Sequence, residues 1–177
     1  MTAGAPPPDL QQLPLHALHL AHGARMAPFA GYQMPLHYPA GILREHLHTR
    51  AAASLFDVSH MGQLLVRPLP GGSAADAARA LESLMPVDVL SLRPQRQRYA
   101  FLTTPAGGIR DDLMIANFGA FHLMVVNAAC KAADARYLGA QLSARCRLEM
   151  LTDRALLALQ GPRAVQVLAG LEPRLAQ

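Results

Sequence analysis

The sequence predicts an α+β fold with a mainly antiparallel sheet and several helices. Segments with helical and with strand periodicity are mixed along the chain, without regular β-α-β alternation. Residues 97–126 have the pattern of three strands joined by two short turns, which indicates an antiparallel meander. Neither a G-x-G-x-x-G fingerprint nor a P-loop is present, which disfavours a doubly wound nucleotide-binding fold.

Composition places the chain among ordinary globular proteins. Its 177 residues are 51% hydrophobic and 16% charged, which suits one domain with a core of its own. The formal charge of +4 is dispersed and only 5% of residues are aromatic, so a nucleic-acid-binding surface is not indicated. No apolar stretch is long enough for a membrane span, and Cys130 and Cys146 are too few for a disulfide framework. We therefore expect a cytoplasmic protein without a nucleic-acid or membrane partner.

The N-terminal third combines short elements with irregular segments. Residues 1–12 include three consecutive prolines and no basic residue, which predicts a disordered lead-in to a domain portion over 13–177. Residues 26–39 hold three prolines and a glycine among apolar side chains, which predicts an irregular loop that either lines a pocket or covers the core. The other elements predicted here are a helix over 13–23, a helix over 42–53 and a strand over 63–67.

Two polar clusters in this third contain residue types used in catalysis, and the sequence favours a structural interpretation of both. The histidines within 16–22 share one helical face, but no carboxylate or cysteine joins them nearby, so a solvated face is favoured over a metal site. Asp57, Ser59 and His60 are too close in sequence for the geometry of a hydrolase triad, and no G-x-S-x-G elbow is present. We therefore predict no metal site and no hydrolase activity.

The rest of the chain predicts helices on either side of the meander. Ser73 caps a helix that runs to Leu84, and Asn127 caps an alanine-rich helix over 128–144. The predicted strands cover 97–104, 109–117, 121–126, 146–151 and 155–159, the last two joined by a Thr-Asp-Arg turn. A final helix begins at the Gly-Pro pair 161–162, with the proline in its first turn.

Two adjacent carboxylates stand out within the meander. Asp111 and Asp112 follow a Gly-Gly turn and precede the apolar run 113–115. Because successive strand side chains point to opposite faces, the two cannot share one, and one of them must face the residues that this run helps to bury. A carboxylate there is costly unless it is hydrogen-bonded, paired or used in function. Capping of the turn is the alternative interpretation.

Several segments carry a family resemblance when they are taken together. They are FAGYQMPLHY (29–38), LFDVSHMGQ (55–63), GGIRDDLMI (107–115), LMVVNAA (123–129) and, more weakly, LALQGP (157–162). In this order and spacing they resemble the aminomethyltransferase family, the T protein of the glycine cleavage system. The resemblance implies a folate-binding domain of the T-protein type, of which this chain would be the incomplete, N-terminal portion.

The resemblance also implies an activity and a set of site residues. The family transfers the methylene carbon of an aminomethyl group, carried on the lipoyl arm of the H protein, to tetrahydrofolate and releases ammonia in glycine catabolism. Matched to the family's motif, Asp112 is the catalytic carboxylate and a folate ligand, and Asp111 is its structural neighbour. The other matched positions, expected around the pterin, are Met61, Leu65, Tyr99 and Asn127. For Tyr99 and Met61, ordinary core packing is the alternative.

The chain departs from the family's pattern in two respects. Pro28 and Tyr32 replace an aspartate and a tryptophan of the first segment. The family's pattern also continues past the position of Gln177, with a glutamate for the pterin and arginines for the folate tail and the carrier. We therefore expect a fragment or a naturally short form, and whether it is active by itself is an open question at this point. Two other functions remain alternatives: a folate-binding module related to dimethylglycine and sarcosine dehydrogenases, and a non-catalytic folate-binding scaffold.

Overall fold

The computed structural model describes residues 10–176, which form two compact units. We call residues 61–153 the central unit, and residues 10–60 with 154–176 the terminal unit. In chain order, the elements are β1 (Gln11–Gln12), α1 (His16–Ala21), β2 (Arg25–Phe29), β3 (Tyr32–His37), α2 (Ile42–Ala51), β4 (Ser54–Asp57), β5 (Gly62–Pro68), α3 (Ala74–Glu82), β6 (Arg96–Thr103), β7 (Ile109–Asn117), β8 (His122–Val126), α4 (Lys131–Leu142), β9 (Cys146–Leu151), β10 (Leu157–Gln160), α5 (Ala164–Leu171) and a 3-10 helix (Pro173–Ala176).

The central unit is built on a five-stranded sheet in the order β6-β7-β8-β5-β9, with every neighbouring pair antiparallel. The first three strands are consecutive in sequence, so the predicted meander and the predicted α+β class are confirmed. One face of this sheet packs against α3 and α4 and forms the core with them. Alternate strand residues, such as Leu64, Leu113 and Met124, are buried on this face. The helices contribute Leu81 and Leu138 to the same core.

Helix α3 begins where the sequence predicts. The Ser73 hydroxyl accepts from the Asp76 backbone N–H, and the Asp76 carboxylate accepts from the Ser73 backbone N–H, which makes a reciprocal capping box. The buried alanines and leucine of this helix then cover the sheet. None of the helices among residues 10–176 is both long and apolar enough to cross a membrane.

The terminal unit contains a three-stranded sheet, β1-β3-β2, and a two-stranded sheet, β4-β10. Its first sheet shows that the prediction of an irregular segment over 26–39 was wrong, because β2 and β3 pair as a hairpin. Positive φ at Ala30 (48°) and Gly31 (82°) closes the hairpin with a two-residue turn. The prolines are tolerated because Pro28 lies on an edge strand and Pro35 lies beyond the part of β3 that pairs with β1.

Three further predictions change, two of them in this unit and one that involves strands of both units. Residues 11–12 form β1, so the predicted disordered lead-in of 1–12 is wrong at its end, while residues 1–9 lie outside the described residues. His19 is only 6% exposed and hydrogen-bonded, so the histidine face of α1 is not a fully solvated one. The predicted strands 146–151 and 155–159 do not form a hairpin, because β9 pairs with β5 whereas β10 pairs with β4.

Gly161 explains the sequence between β10 and α5. Its φ of +119° lies in the left-handed region, and a Cβ there would be 2.4 Å from the carbonyl oxygen of Ala52 and 2.7 Å from that of Thr49. The chain therefore passes against the end of α2 at a distance that only glycine permits.

Candidate functional site

The register of the central sheet separates the two adjacent carboxylates as predicted. Leu113 and Ile115 of β7 belong to the core, so Asp111, which has the same parity, lies on the helix-covered face. Asp112 and Met114 project from the opposite face, which we call the open face of the central sheet. Both aspartates are partly buried.

Two aromatic side chains flank Asp112 on the open face. Tyr99 pairs with Met114 and Phe101 pairs with Asp112, and the two rings make an edge-to-face contact with centroids 5.1 Å apart. Tyr99 is 55% exposed, so it is not a core residue. The pKa of its hydroxyl is raised by desolvation, by its hydrogen bond to Asp112 and by the charges of both aspartates. The hydroxyl therefore stays protonated and acts as a donor to the Asp112 carboxylate.

The remaining predicted residues lie at different distances from Asp112. Leu113 of β7 and Gly62 of β5 both pair with Val126 of β8. When this register is continued by one residue, Asp112 and Met61 lie on either side of Asn127, in one row across the three strands. Leu65 has the same facing and is 6% exposed, but it lies four rows away, roughly 13 Å along the strands. The structure thus brings Met61, Asn127 and Tyr99 close to Asp112 and does not bring Leu65 there.

Asn127 connects the two carboxylates, and its predicted role as a helix cap is wrong. Helix α4 has Cys130 at its N-cap position with no side-chain capping bond. The Asn127 backbone carbonyl accepts from the N–H of Lys131, while its side-chain Nδ2 donates to Asp111 Oδ1 at 3.0 Å and lies 3.2 Å from Asp112 Oδ1. Since carboxylates attract the amide nitrogen rather than the amide oxygen, the Asn127 Oδ1 acceptor is directed away from both of them.

A close approach of helix to sheet places Asn127 at this position. A Cβ on Gly62 would lie 2.7 Å from Cγ2 of Val126 and 2.8 Å from Cβ of Lys131. Only glycine at this point of β5 allows the first turn of α4 to lie so near the strand. The glycine of the FDVSHMG segment therefore has a packing reason that is linked to the site.

On the helix-covered face, Asp111 meets a second buried acid, Asp134 of α4. Asp134 is 1% exposed, and its desolvation together with the hydrogen bond and charge of Asp111 raises its pKa to about 6, with Arg110 opposing the shift. Desolvation also raises the pKa of the Cys130 thiol, helped by the charge and hydrogen bond of Asp111. The Arg110 guanidinium lies over the ring of Tyr137, 4.1 Å from its centroid.

Sequence reasoning missed Asp134, although a signal for it exists. The buried residues of α4 are Asp134, Leu138 and Leu142, one aspartate in an otherwise apolar stripe with a spacing of four. A charged residue in such a stripe indicates a buried acid that needs a partner. Phe101 was also missed, because the sequence offers no signal for it: an aromatic residue in a strand is ordinarily a core residue.

The terminal unit has a polar cluster of its own. His19 lies between Tyr38 Oη, 2.8 Å from its Nδ1, and Asp57 Oδ2, 2.9 Å from its Nε2. Burial acts to raise the pKa of Asp57, but hydrogen bonds from Ser59 and His19 hold it below its usual value. The hydroxyl of Ser59 donates to Asp57, which is not the arrangement of a nucleophile beside a histidine base.

An apolar cleft of about 720 Å³ lies beside this cluster. Its lining includes Phe29, Met34 and Tyr38, so the segment 26–39 does form one wall of a pocket, although as a hairpin. Among residues 10–176, no three histidine, cysteine, aspartate or glutamate side chains are grouped in a way that could hold a metal ion.

Comparison with known proteins identifies relatives over almost the whole chain. Residues 15–176 match a protein family described as the GCVT N-terminal domain. The chain is 43% identical over 166 residues to the mitochondrial aminomethyltransferase of Homo sapiens, covering 90% of this chain and 40% of the human protein. It is 42% identical over 165 residues to the aminomethyltransferase of Thermus thermophilus, covering 92% of this chain and 45% of that protein.

A solved structure shows the same relationship in three dimensions. The glycine cleavage system aminomethyltransferase T from Bartonella henselae matches with a TM-score of 0.82 and 41% identity, over 91% of this chain and 43% of that one. The chain therefore spans less than half the length of each of these relatives.

Proposed function

The chain belongs to the GCVT N-terminal domain family, and from this membership we propose that it supplies the Asp112-centred part of a tetrahydrofolate-dependent aminomethyltransferase site. In the proposed reaction, tetrahydrofolate supplies the amine nucleophiles that take the methylene carbon from the aminomethylated lipoyl arm of the H protein, yielding methylenetetrahydrofolate, ammonia and the dihydrolipoyl carrier. The H protein is thus the proposed partner. Location in the cytoplasm remains a prediction, and the human relative is named as mitochondrial.

One observation supports this proposal above the others: a carboxylate and an aromatic pair share the open face of the central sheet. Tyr99 and Phe101 are 55% and 37% exposed, so their rings are accessible to a flat heteroaromatic ligand. Asp112 can accept hydrogen bonds from ring N–H groups beside them. The Asn127 Oδ1, directed away from the two carboxylates, is a further acceptor. A pterin ring, which is planar and rich in N–H groups, fits this combination of side chains.

The roles that follow are electrostatic and positional. We expect Asp112 to hold its ligand through charge-assisted hydrogen bonds and to stabilise the positive charge that develops around the transferred carbon. The Tyr99 hydroxyl and the Asn127 amide both donate toward Asp112, so they fix the direction of its carboxylate. Such preorganisation lowers the barrier because the carboxylate does not have to be reoriented during the reaction.

The test is a titration of this chain with tetrahydrofolate, beside Asp112→Asn. The substitution keeps the shape and removes the charge, so we expect the Kd to rise about tenfold or more, the effect of losing one charged hydrogen bond of 1.5–3 kcal/mol. The matched control is Asp88→Asn, which removes an exposed carboxylate that is bonded to Ser91 in the same unit and should leave the Kd unchanged.

The outcomes separate the candidate functions. An unchanged Kd in Asp112→Asn would exclude Asp112 as a folate ligand, and no binding to the parent chain would exclude folate binding by this portion alone. Ammonia release from aminomethylated H protein is measured next. Normal release by Asp112→Asn would contradict its catalytic role, and folate binding without any release by the parent would favour the scaffold alternative.

A further inference from the structure

We propose that Asp134 is a positioning residue of this site: as a neutral carboxylic acid it donates to Asp111 from the helix side and thereby holds the Asn127 amide against Asp112. This role goes beyond the family's matched positions, which lie on the strands and at the end of β8. Asp134 is on α4, on the other face of the sheet from Asp112, and acts only through Asp111 and Asn127.

Two acids, Asp111 and Asp134, meet on the helix-covered face of the central sheet. The Asp111 carboxylate acts on Asp134 at hydrogen-bonding range, and since an ionised carboxylate has no hydrogen to donate, the two acids can bond to each other only when one of them is protonated. Within the described residues, the Oδ2 atoms of both are buried and receive no hydrogen bond. Two negative charges with both Oδ2 atoms buried and unbonded would repel each other strongly, so one shared proton is the arrangement that fits.

The surroundings of the two carboxyl groups differ, and this difference decides which acid holds the proton. Asp134 is 1% exposed, whereas Asp111 is partly exposed and accepts the Asn127 Nδ2–H at 3.0 Å. A carboxylate that accepts hydrogen bonds is favoured in its ionised form, and a desolvated one in its neutral form. The proton therefore belongs to Asp134, in agreement with its raised pKa of about 6.

Charged and titratable groups that act on the pair come from both β7 and α4. From β7 these are Arg110, which acts to lower the pKa of Asp134, and Asp112, whose charge acts on Cys130. From α4 it is the Cys130 thiol, which stays protonated and is hydrogen-bonded to Asp111. Arg110 is also engaged with the ring of Tyr137. The cation therefore moderates the shift of Asp134 without abolishing it.

The consequence for the site is a dependence on pH. When Asp134 ionises, Asp111 loses a hydrogen-bond donor and gains a neighbouring negative charge. The Asp111 carboxylate must then rotate, or a water molecule must enter to solvate it. The Asn127 Nδ2, which is shared between Asp111 and Asp112, then loses the partner that fixes it. We expect the amide of Asn127 to be ordered below pH 6 and to lose that order as Asp134 titrates.

The first experiment needs no ligand. In the isotopically labelled parent chain, NMR should show the side-chain NH₂ of Asn127 and the Cγ of Asp134 titrating together between pH 4.5 and 8 with a common midpoint near 6. In Asp134→Asn, which donates an N–H at every pH, the Asn127 signals should stay at the low-pH position of the parent. In Asp88→Asn, which removes an exposed carboxyl group far from this pair in sequence, the Asn127 and Asp134 signals should titrate as in the parent.

Two results would overturn the proposal. One is a midpoint for Asp134 in the parent near the ordinary value of an aspartate, a measurement that needs no variant to fold. The other is an Asn127 titration that persists unchanged in Asp134→Asn. As a second variant, Asp111→Asn removes the like charge, so the Asp134 midpoint should fall. A midpoint that does not move would exclude the coupling between the two acids.

The second experiment rests on the proposed function. If only the ordered site binds tetrahydrofolate, the Kd of the parent should rise by up to about tenfold per pH unit above pH 6, because one proton is linked to binding. Asp134→Asn should give a flat profile, and a profile equal to that of the parent would contradict the positioning role. Absence of folate binding in the parent would count against the proposed function only, since the NMR titration decides the role of Asp134 by itself.

Discussion

Gly62 offers a quantitative test of how α4 is seated against the central sheet. In Gly62→Ala the new methyl group would lie 2.7 Å from Cγ2 of Val126 and 2.8 Å from Cβ of Lys131. Neither neighbour can yield easily, because Val126 is fully buried and the Lys131 atom is attached directly to the backbone. The first turn of α4 must therefore move away from β5, and Asn127, which precedes it, must move with it.

The expected magnitude follows from two opposing terms. Overpacking of a close contact costs about 1–3 kcal/mol, whereas replacing glycine by alanine regains roughly 0.5–1 kcal/mol of backbone entropy. We therefore expect Gly62→Ala to lose about 0–2.5 kcal/mol of unfolding free energy, with a central value of about 1 kcal/mol. Gly139 of α4 is the matched control, because a Cβ there would be 3.8 Å from its nearest neighbour, an ordinary contact. Gly139→Ala should gain roughly 0.5–1 kcal/mol.

The assay is urea unfolding at neutral pH, followed by far-ultraviolet circular dichroism. Gly62→Ala should lower the midpoint and Gly139→Ala should raise it, at equal slopes. The side-chain amide signal of Asn127 should shift in the first variant and stay in place in the second. If Gly62→Ala is as stable as the parent and its Asn127 signal does not move, the close seating of α4 on β5 is wrong.

Three other changes test the remaining parts of the structure. Gly161→Ala would place a Cβ 2.4 Å from a backbone oxygen at the end of α2, at a residue whose φ is +119°. The free energy of unfolding in urea should therefore fall by roughly 2–4 kcal/mol, and a midpoint equal to that of the parent would refute the close approach. Asp134 has a pKa raised from 3.8 to about 6, so the native state holds this proton more tightly than the unfolded state and stability falls as pH rises through that interval. Between pH 4 and pH 8, the free energy of unfolding of the parent should fall by roughly 3 kcal/mol relative to that of Asp134→Asn. If the unfolding free energies of the two proteins depend on pH in the same way, the burial of a neutral acid is contradicted. His19→Ala leaves the buried Asp57 carboxylate without the hydrogen bond from His19 and should lower the free energy of unfolding by about 1–3 kcal/mol. Replacing the exposed His22 by alanine should change it by at most about 0.5 kcal/mol, and similar losses in both variants would exclude the buried pair.

Much of the central unit is predictable from local sequence because its determinants are local. The meander depends on short turns between three apolar strands, and the start of α3 depends on a capping box within four residues. The opposite facing of Asp111 and Asp112 follows from strand geometry alone. These features are encoded over a few residues, so no distant partner is needed to specify them.

The failed predictions share one cause, which is a partner distant in sequence. The prolines of 26–39 suggested irregular structure, yet Pro28 lies on an edge strand and Pro35 lies beyond the part of β3 that pairs with β1, which depends on the order of the strands. Asn127 was expected to cap α4, but its amide is drawn to the carboxylates of β7. His19 is buried because Asp57, 38 residues later, accepts its hydrogen bond.

The sequence alone determined the fold class, the family and the opposite facing of Asp111 and Asp112, because motifs, periodicity and strand alternation are properties of the chain itself. Only the tertiary structure decided what surrounds that carboxylate: the exposed Tyr99 and Phe101 beside it, Asn127 next to it, and Asp134 on the far side of the sheet. The physical reason is that burial and hydrogen-bond partnership depend on strand pairing and helix seating. Whether an aspartate in an alanine-rich helix carries a charge or a proton is settled by the groups folded against it.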